Sequence, residues 1–213
     1  MNIIITGGLG FIGSHLVQNL ISKNNQITIL SKSKKKISNI RSFHKNLKIN
    51  YLDITKKNLL EKNIEIINPD LIIHLAGQTS HSQSFENPLY DIDINSKSTL
   101  RILETVRKMN KNCKFILGST FVVIGKPNKL PVNENSITNP TTIYGANRLL
   151  SEHYCKIYHD LYGIDTRIFR ITNSFGPNEQ VIPTKNAVNY LIYRAFQGKD
   201  ITINNNGKFF RDL

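Results

Sequence analysis

The run Thr6-Gly7-Gly8-Leu9-Gly10-Phe11-Ile12-Gly13-Ser14-His15 constrains this chain more than any other. Before it, Met1-Asn2-Ile3-Ile4-Ile5 is apolar and β-branched and reads as a short, fully buried strand. After it, Leu16, Val17, Leu20 and Ile21 recur at helical spacing. The glycines therefore sit where a strand turns into a helix. Gly7, Gly10 and Gly13 keep the spacing that lets a backbone touch a pyrophosphate. Gly7 permits the tight turn, Gly10 removes a Cβ that would block the phosphates, and Gly13 lets the helix pack close to the strand. The helix start at Phe11 and Ile12 adds free N–H groups and a partial positive charge. A glycine-rich turn without a ligand is the alternative, and the strand-to-helix context weighs against it.

The alternation continues. Gln26-Ile27-Thr28-Ile29-Leu30 reads as a second strand, and residues 47–52 alternate as a half-buried one. Leu71-Ile72-Ile73-His74-Leu75-Ala76-Gly77, Lys114-Phe115-Ile116-Leu117 and Asp165-Thr166-Arg167-Ile168-Phe169 follow, with a short strand at Ile201-Thr202-Ile203. Helical patterns cover residues 88–109, 143–162 and 186–197, and a shorter helix opens at Asp53 or Thr55 and runs through Asn63. Residues 78–87 and 126–142 read as loops. This order predicts an α/β fold, a doubly wound parallel sheet of Rossmann-like type with helices on both faces. Chemistry in such sheets gathers at the carboxyl ends of the strands.

Composition narrows the function classes. A chain of 213 residues suffices for one α/β domain, or one with a small appendage. It holds no run of 18 apolar residues, so no membrane span is expected. The chain enters a strand at once, without a signal-peptide pattern. Cys113 and Cys155 form no CxxC, which suggests a reducing, cytoplasmic setting with neither a disulfide frame nor a metal site. The formal charge of +13, from 28 basic and 15 acidic residues, is compatible with a polyanionic partner. The lysines are scattered, however, apart from Lys32-Ser33-Lys34-Lys35-Lys36, and no RNA- or DNA-binding signature accompanies them, so nucleic acid is not expected.

Several strand ends carry candidate residues. The second strand runs into Ser31 and Lys32, where an Asp or Glu commonly holds the adenosine ribose. Hydroxyls and cations there suit a 2′-phosphate, hence NADP; a solvated basic loop, with NAD held by other contacts, is the alternative. Asp53, before Ile54, is placed either to accept from an adenine amino group or to cap a helix. Gly77 ends its strand at the edge where a cofactor would lie, and His74 reads as a packed structural histidine. Asn95 is a polar residue inside a helical pattern, which calls for a reason.

Taken together, Thr6 to Gly13, Asp53-Ile54, His74-Leu75-Ala76-Gly77, Asn95, Ser119-Thr120 with Val123 and Gly125, Tyr144-Gly145-Ala146, the segment 170–177 and Arg211-Asp212 resemble the extended short-chain dehydrogenase/reductase family, in its branch of nucleotide-sugar epimerases and dehydratases. The pieces run in family order over essentially the whole chain. The resemblance implies NAD or NADP as cofactor, with Leu75, Ala76 and Asn95 beside it, and a nucleotide sugar as substrate. It implies Tyr144 as general acid/base and Thr120 as the hydroxyl that fixes the reacting oxygen. A free phenol titrates near ~10, so a cation four residues on is needed to favour phenolate. The family has Lys there; this chain has Arg148, which keeps the charge but cannot give up a proton. Asn173 and Arg211 match positions near the substrate diphosphate, where an Arg fork suits the anion. The 4,6-dehydratases of the family carry Asp-Glu after the Thr, whereas Phe121-Val122 here can neither give nor take a proton; no dehydratase activity is expected. The expected layout is an NAD(P)-binding domain over 1–172 and a partial, C-terminally truncated substrate-binding region over 173–213. A homodimer through the helices at 88–109 and 143–162 follows from the same resemblance. A dinucleotide-binding protein without turnover, acting as a sensor or assembly partner, is the competing expectation.

Overall fold

The computed structural model describes residues 1–21, 24–40, 47–109, 112–182 and 187–208. β1 (Asn2–Thr6) runs into the glycine loop and then α1 (Phe11–Ile21). β2 (Gln26–Ser31), β3 (Leu47–Tyr51), α2 (Lys57–Ile67) and β4 (Leu71–His74) follow. Next come α3 (His81–Glu86), α4 (Pro88–Ile92), a π turn (Asp93–Lys97) and α5 (Ser98–Met109). β5 (Lys114–Thr120), a 3-10 turn (Phe121–Ile124), α6 (Ile143–Tyr162), β6 (Thr166–Ile171) and α7 (Ala187–Phe196) complete the described elements.

The strands are parallel, in the order β3-β2-β1-β4-β5-β6. The winding reverses between β1 and β4, so their carboxyl ends flank the crevice where doubly wound sheets take ligands. The doubly wound Rossmann-like α/β class read from the sequence is the one observed. Strand alternation divides the core in two. Ile3 and Ile5 pack with Val17, Ile27 and Ile29 on the α1 face. Ile4 packs with Leu30, Leu60, Ile72, Leu103 and Phe115 on the face covered by α2, α5 and α6. Both faces being covered explains why the central strands read as continuous apolar runs.

Four expectations are corrected. Residues 81–86 form α3 rather than loop, because Ser80 Oγ accepts from Gln83 N and Pro88 starts the next helix. The helical pattern over 88–109 is not one uniform helix: it widens into the π turn, where Ser98 N bonds back to Asp93 O. α2 starts at Lys57, later than expected; Asp53 Oδ1 instead accepts from both N and Oγ1 of Thr55, a local turn that precedes the helix. Residues 201–203 form no strand, and a turn at 204–207 follows them. A strand needs a neighbour to pair with, and three apolar residues bring none of their own. Asn186 and Arg211 lie outside the described residues.

Candidate active site

The glycine loop has the local geometry its spacing calls for. Gly7 sits at φ +73°, and a Cβ there would stand 2.8 Å from Ala76 N. A Cβ on Gly13 would stand 2.3 Å from Gly7 O, so α1 can approach β1 this closely only through glycine. Around Gly10, chain neighbours aside, the only atom among the described residues that a Cβ would meet within 4 Å is Gly7 O, at 3.1 Å. The first-turn N–H groups of α1, from Phe11 and Ile12, belong to this loop end, and Ile12 is exposed.

The end of β4 is stitched to the same loop. Leu75 N donates to Thr6 O and Ala76 N to Thr6 Oγ1. Thr6 Oγ1 lies 2.7 Å from His74 Nδ1, and His74 Nε2 lies 3.2 Å from Ser98 Oγ, which donates to Ile94 O. With Ser98 donating onward, His74 Nε2 carries the ring proton and Nδ1 accepts from Thr6. His74 is therefore the neutral, structural histidine expected; burial, and then the Arg148 charge, push its pKa down to about 3.

α6 supplies the reactive face. Thr142 Oγ1 caps its start by accepting from Gly145 N. Tyr144, Asn147, Arg148, Ser151, Glu152 and Cys155, spaced by three and four, are all buried on one stripe. Arg148 Cζ lies 5.8 Å from the Tyr144 ring centroid, one turn away. Arg148 is only 2% exposed, yet its Nε and Nη1 find no hydrogen-bond partner among the described residues. Asn95 Oδ1 is likewise unpartnered, while Asn95 Nδ2 donates to Gln78 O. These groups converge on Gly77: a Cβ there would stand 2.1 Å from Arg148 Nη2 and 2.6 Å from Asn95 Oδ1.

The π turn explains Asn95. The helix widens here, and Ser151 Oγ donates to Asn95 O at 2.6 Å. Below it, Asp91 accepts from Gln78 Nε2 and Asn147 Nδ2 at full burial. Thr120 ends β5, with its Oγ1 accepting from Val122 N. Next to it, Glu152 is held by Ser119 Oγ at 2.6 Å and by the Arg170 fork, Nη2 at 2.8 Å and Nε at 3.1 Å. That hydrogen bonding raises Arg170 further above its usual pKa. Burial pushes the Cys155 thiol up to about 12, so it is inert at neutral pH.

The remaining expected residues are dispersed. Ser31 and Lys32 lie at the end of β2, and Lys32 Nζ pairs with Asp53 Oδ2 at 2.9 Å; Ile54 is buried in the core. Burial raises the Asp53 carboxyl, but the hydrogen bonds from Lys32 and Thr55 outweigh it and hold the group below its usual value. Asn173 is half-buried in the loop after β6. That loop meets the start of α1, through His15 Nε2 to Pro177 O and Asn178 Nδ2 to Ser14 Oγ. Residues that the motifs did not single out also enter the site. His81 lies with its ring 5.7 Å from that of Tyr144. Asp91, Asn147, Ser151 and Glu152 form the buried polar bed, with half-buried Gln78 bonded to Asp91 at its edge. For the α6 members, a polar stripe at helical spacing was the available signal.

The orphaned polar atoms fit a cofactor. Two buried N–H donors and one amide oxygen around a bare glycine suit ribose hydroxyls, which both give and accept hydrogen bonds. An open glycine loop beside them suits a diphosphate. Fold and site together define a Rossmann-like protein of the extended short-chain dehydrogenase/reductase class.

The chain belongs to the NAD dependent epimerase/dehydratase family, whose model matches residues 3–213. It is 35% identical over 211 residues to a Methanocaldococcus jannaschii protein carrying the provisional name UDP-glucose 4-epimerase, covering 99% of this chain and 68% of that one. Among solved structures it resembles the UDP-glucose 4-epimerase of Thermotoga maritima with UDP-glucose, at TM-score 0.92 and 29% identity over 100% of this chain and 68% of that one. The UDP-glucuronic acid 4-epimerase of Bacillus cereus, in complex with UDP-glucuronic acid and NAD, matches at TM-score 0.87 and 28% identity, again over 100% and 68%. dTDP-glucose 4,6-dehydratases are among the relatives as well. This chain thus spans about two thirds of the length of the first of these. No helix among the described residues is long and apolar enough to cross a membrane.

Proposed function

We propose that this protein is an NAD(P)-dependent nucleotide-sugar epimerase or a related keto-sugar reductase, with Tyr144 as its acid/base. The observation that carries the reading is the buried Tyr144–Arg148 pair set one helical turn apart against Gly77 and the unpartnered Asn95 Oδ1. When bound, a nicotinamide cofactor supplies hydride uptake and return. Gly7, Gly10, Phe11 and Ile12 would hold its diphosphate, and Leu75, Ala76, Gly77, Asn95 and Arg148 would line its ribose. Tyr144 takes the proton from a sugar hydroxyl as the carbon is oxidised and returns it on reduction. Thr120, still free to donate its hydroxyl proton, holds that oxygen. Arg148 stands beside the Tyr144 ring as a fixed positive charge and relays no proton. Asn173 and Arg211 would face the substrate diphosphate.

Phe121 and Val122 follow Thr120 with hydrocarbon side chains, so the chain lacks an acid and base there to eliminate water. The proposal therefore excludes 4,6-dehydration, although dehydratases are relatives. The outer faces of α4 and α6, with Leu89 and Leu161 exposed, suit a homodimer. Arg148 also favours one competing reading, a coenzyme-binding protein without turnover. A panel of nucleotide sugars assayed with each coenzyme separates the two: epimerised or reduced product, lost in Tyr144→Phe, supports the enzyme. Coenzyme binding without product in either protein supports the competitor, and a 4-keto-6-deoxy product would refute the exclusion.

A further inference from the structure

The loop after β6 is fastened to the start of α1 by contacts that the proposed reaction leaves unused. His15 Nε2 lies 3.0 Å from Pro177 O; a carbonyl only accepts, so Nε2 carries the ring proton and donates it. Asn178 Nδ2 donates to Ser14 Oγ at 3.1 Å, and Ser14 Oγ donates in turn to Phe11 O at 2.9 Å. Asn178 stands at φ +71°, a left-handed conformation that asparagine takes more readily than most side chains. Gly176 lies against the Phe11 ring, where a Cβ would stand 3.6 Å from Phe11 Cε2. The His15 ring meets Phe11 edge-on, with 5.7 Å between centroids. α7 holds the same loop from another side: Asn189 Nδ2 donates to Gly176 O at 3.1 Å and to Glu179 Oε2 at 2.5 Å.

One short stretch of α1, residues 11–15, therefore serves two neighbours. In the proposed reading, the N–H groups of Phe11 and Ile12 take the coenzyme diphosphate. The side chains of Phe11, Ser14 and His15 hold the loop. That loop begins at Asn173, the residue proposed to face the substrate diphosphate. Ser174, Phe175, Pro177 and Asn178 are exposed, so apolar burial does little to fix it and the contacts to α1 and α7 set its place.

We propose that His15 and Asn178 are positioning residues that couple the two ligands. Coenzyme bound at the start of α1 fixes the loop in the arrangement that takes the nucleoside diphosphate of the substrate, so each ligand tightens the other. The inference rests on the proposed reading of the glycine loop and of Asn173. Ordering a loop on binding has a free-energy cost, and a loop already placed by the first ligand leaves less of it to the second. By linkage the gain is the same in both directions.

Calorimetric titration of the full chain with UDP and with dTDP tests this, each without and with saturating coenzyme, NADH or NADPH, whichever the protein binds. The coenzyme is expected to tighten at least one nucleotide by about fivefold or more, and that nucleotide to tighten the coenzyme by the same factor. His15→Ala should bring the factor close to one, as should Asn178→Gly, which keeps a residue suited to positive φ. Both variants should bind coenzyme alone as the parent does, which also shows that they are folded. His15→Gln keeps an N–H donor and should restore part of the coupling. Nucleotide affinity that ignores the coenzyme, coupling undiminished in both variants, or variants that lose coenzyme binding itself overturns the inference and leaves the enzyme reading standing. Failure of both nucleotides to bind with coenzyme present overturns the inference as well, and binding of neither coenzyme overturns both.

Discussion

Gly77→Ala is the most informative single change. The added methyl would stand 2.1 Å from Arg148 Nη2 and 2.6 Å from Asn95 Oδ1, well inside contact distance. Side-chain ends can often swing away, but neither of these is free to. Arg148 is 2% exposed, and Asn95 is anchored through Nδ2 to Gln78 O and through its carbonyl to Ser151. Overpacking of this kind costs about 1–3 kcal/mol. In a chain of this size that corresponds to a fall in Tm of roughly 2–12 °C. Arg148→Lys removes both Nη groups and puts Nζ about where Cζ stood, 3.1 Å from the methyl, a clash that small shifts absorb. The double variant Gly77→Ala with Arg148→Lys should therefore be more stable than the sum of the single changes by about 1 kcal/mol or more. Urea denaturation of the four proteins measures the cycle. Additivity within about 0.5 kcal/mol would refute the claim that the missing Cβ of Gly77 makes room for the guanidinium.

Three further outcomes are expected. Gly13→Ala places its methyl 2.3 Å from Gly7 O and 2.8 Å from Gly8 Cα, backbone atoms that cannot swing aside, so it should lower both the melting temperature and the coenzyme affinity measured by titration. Arg170→Ala strands Glu152 at 1% exposure and should cost about 3 kcal/mol in denaturant melts, much of it recovered when Glu152→Gln is added. His74 is neutral in the fold, with its pKa about 3 against about 6.5 unfolded, so the unfolded chain binds the extra proton between those values. Its contribution is complete above pH 6.5 and is lost as pH falls toward 3. His74→Gln should flatten the stability slope in that window by up to about 1.4 kcal/mol per pH unit. An unchanged slope would contradict the neutral tautomer.

The sequence by itself determined what depends on near neighbours. The glycine spacing, the β–α alternation and the placement of Tyr144 and Arg148 one turn apart are all local periods, and the doubly wound sheet follows from them. The cap of α3 was also legible, since Ser80 precedes Gln83 by three residues, although polar composition disguised it as loop. Only the tertiary structure decided the rest. It widened the helix at Asn95 into a π turn, and α6 brings Ser151 Oγ to donate to the Asn95 carbonyl there. It left residues 201–203 outside the sheet, whose last described strand is β6. It paired Lys32 with Asp53 across adjacent strand ends, Glu152 with Arg170 across α6 and β6, and Arg148 with the bare backbone of Gly77. These pairs lie tens of residues apart or in separate elements. Period and propensity act over a few residues, whereas the partner of a buried charge is chosen by which strand ends the winding of the sheet brings together.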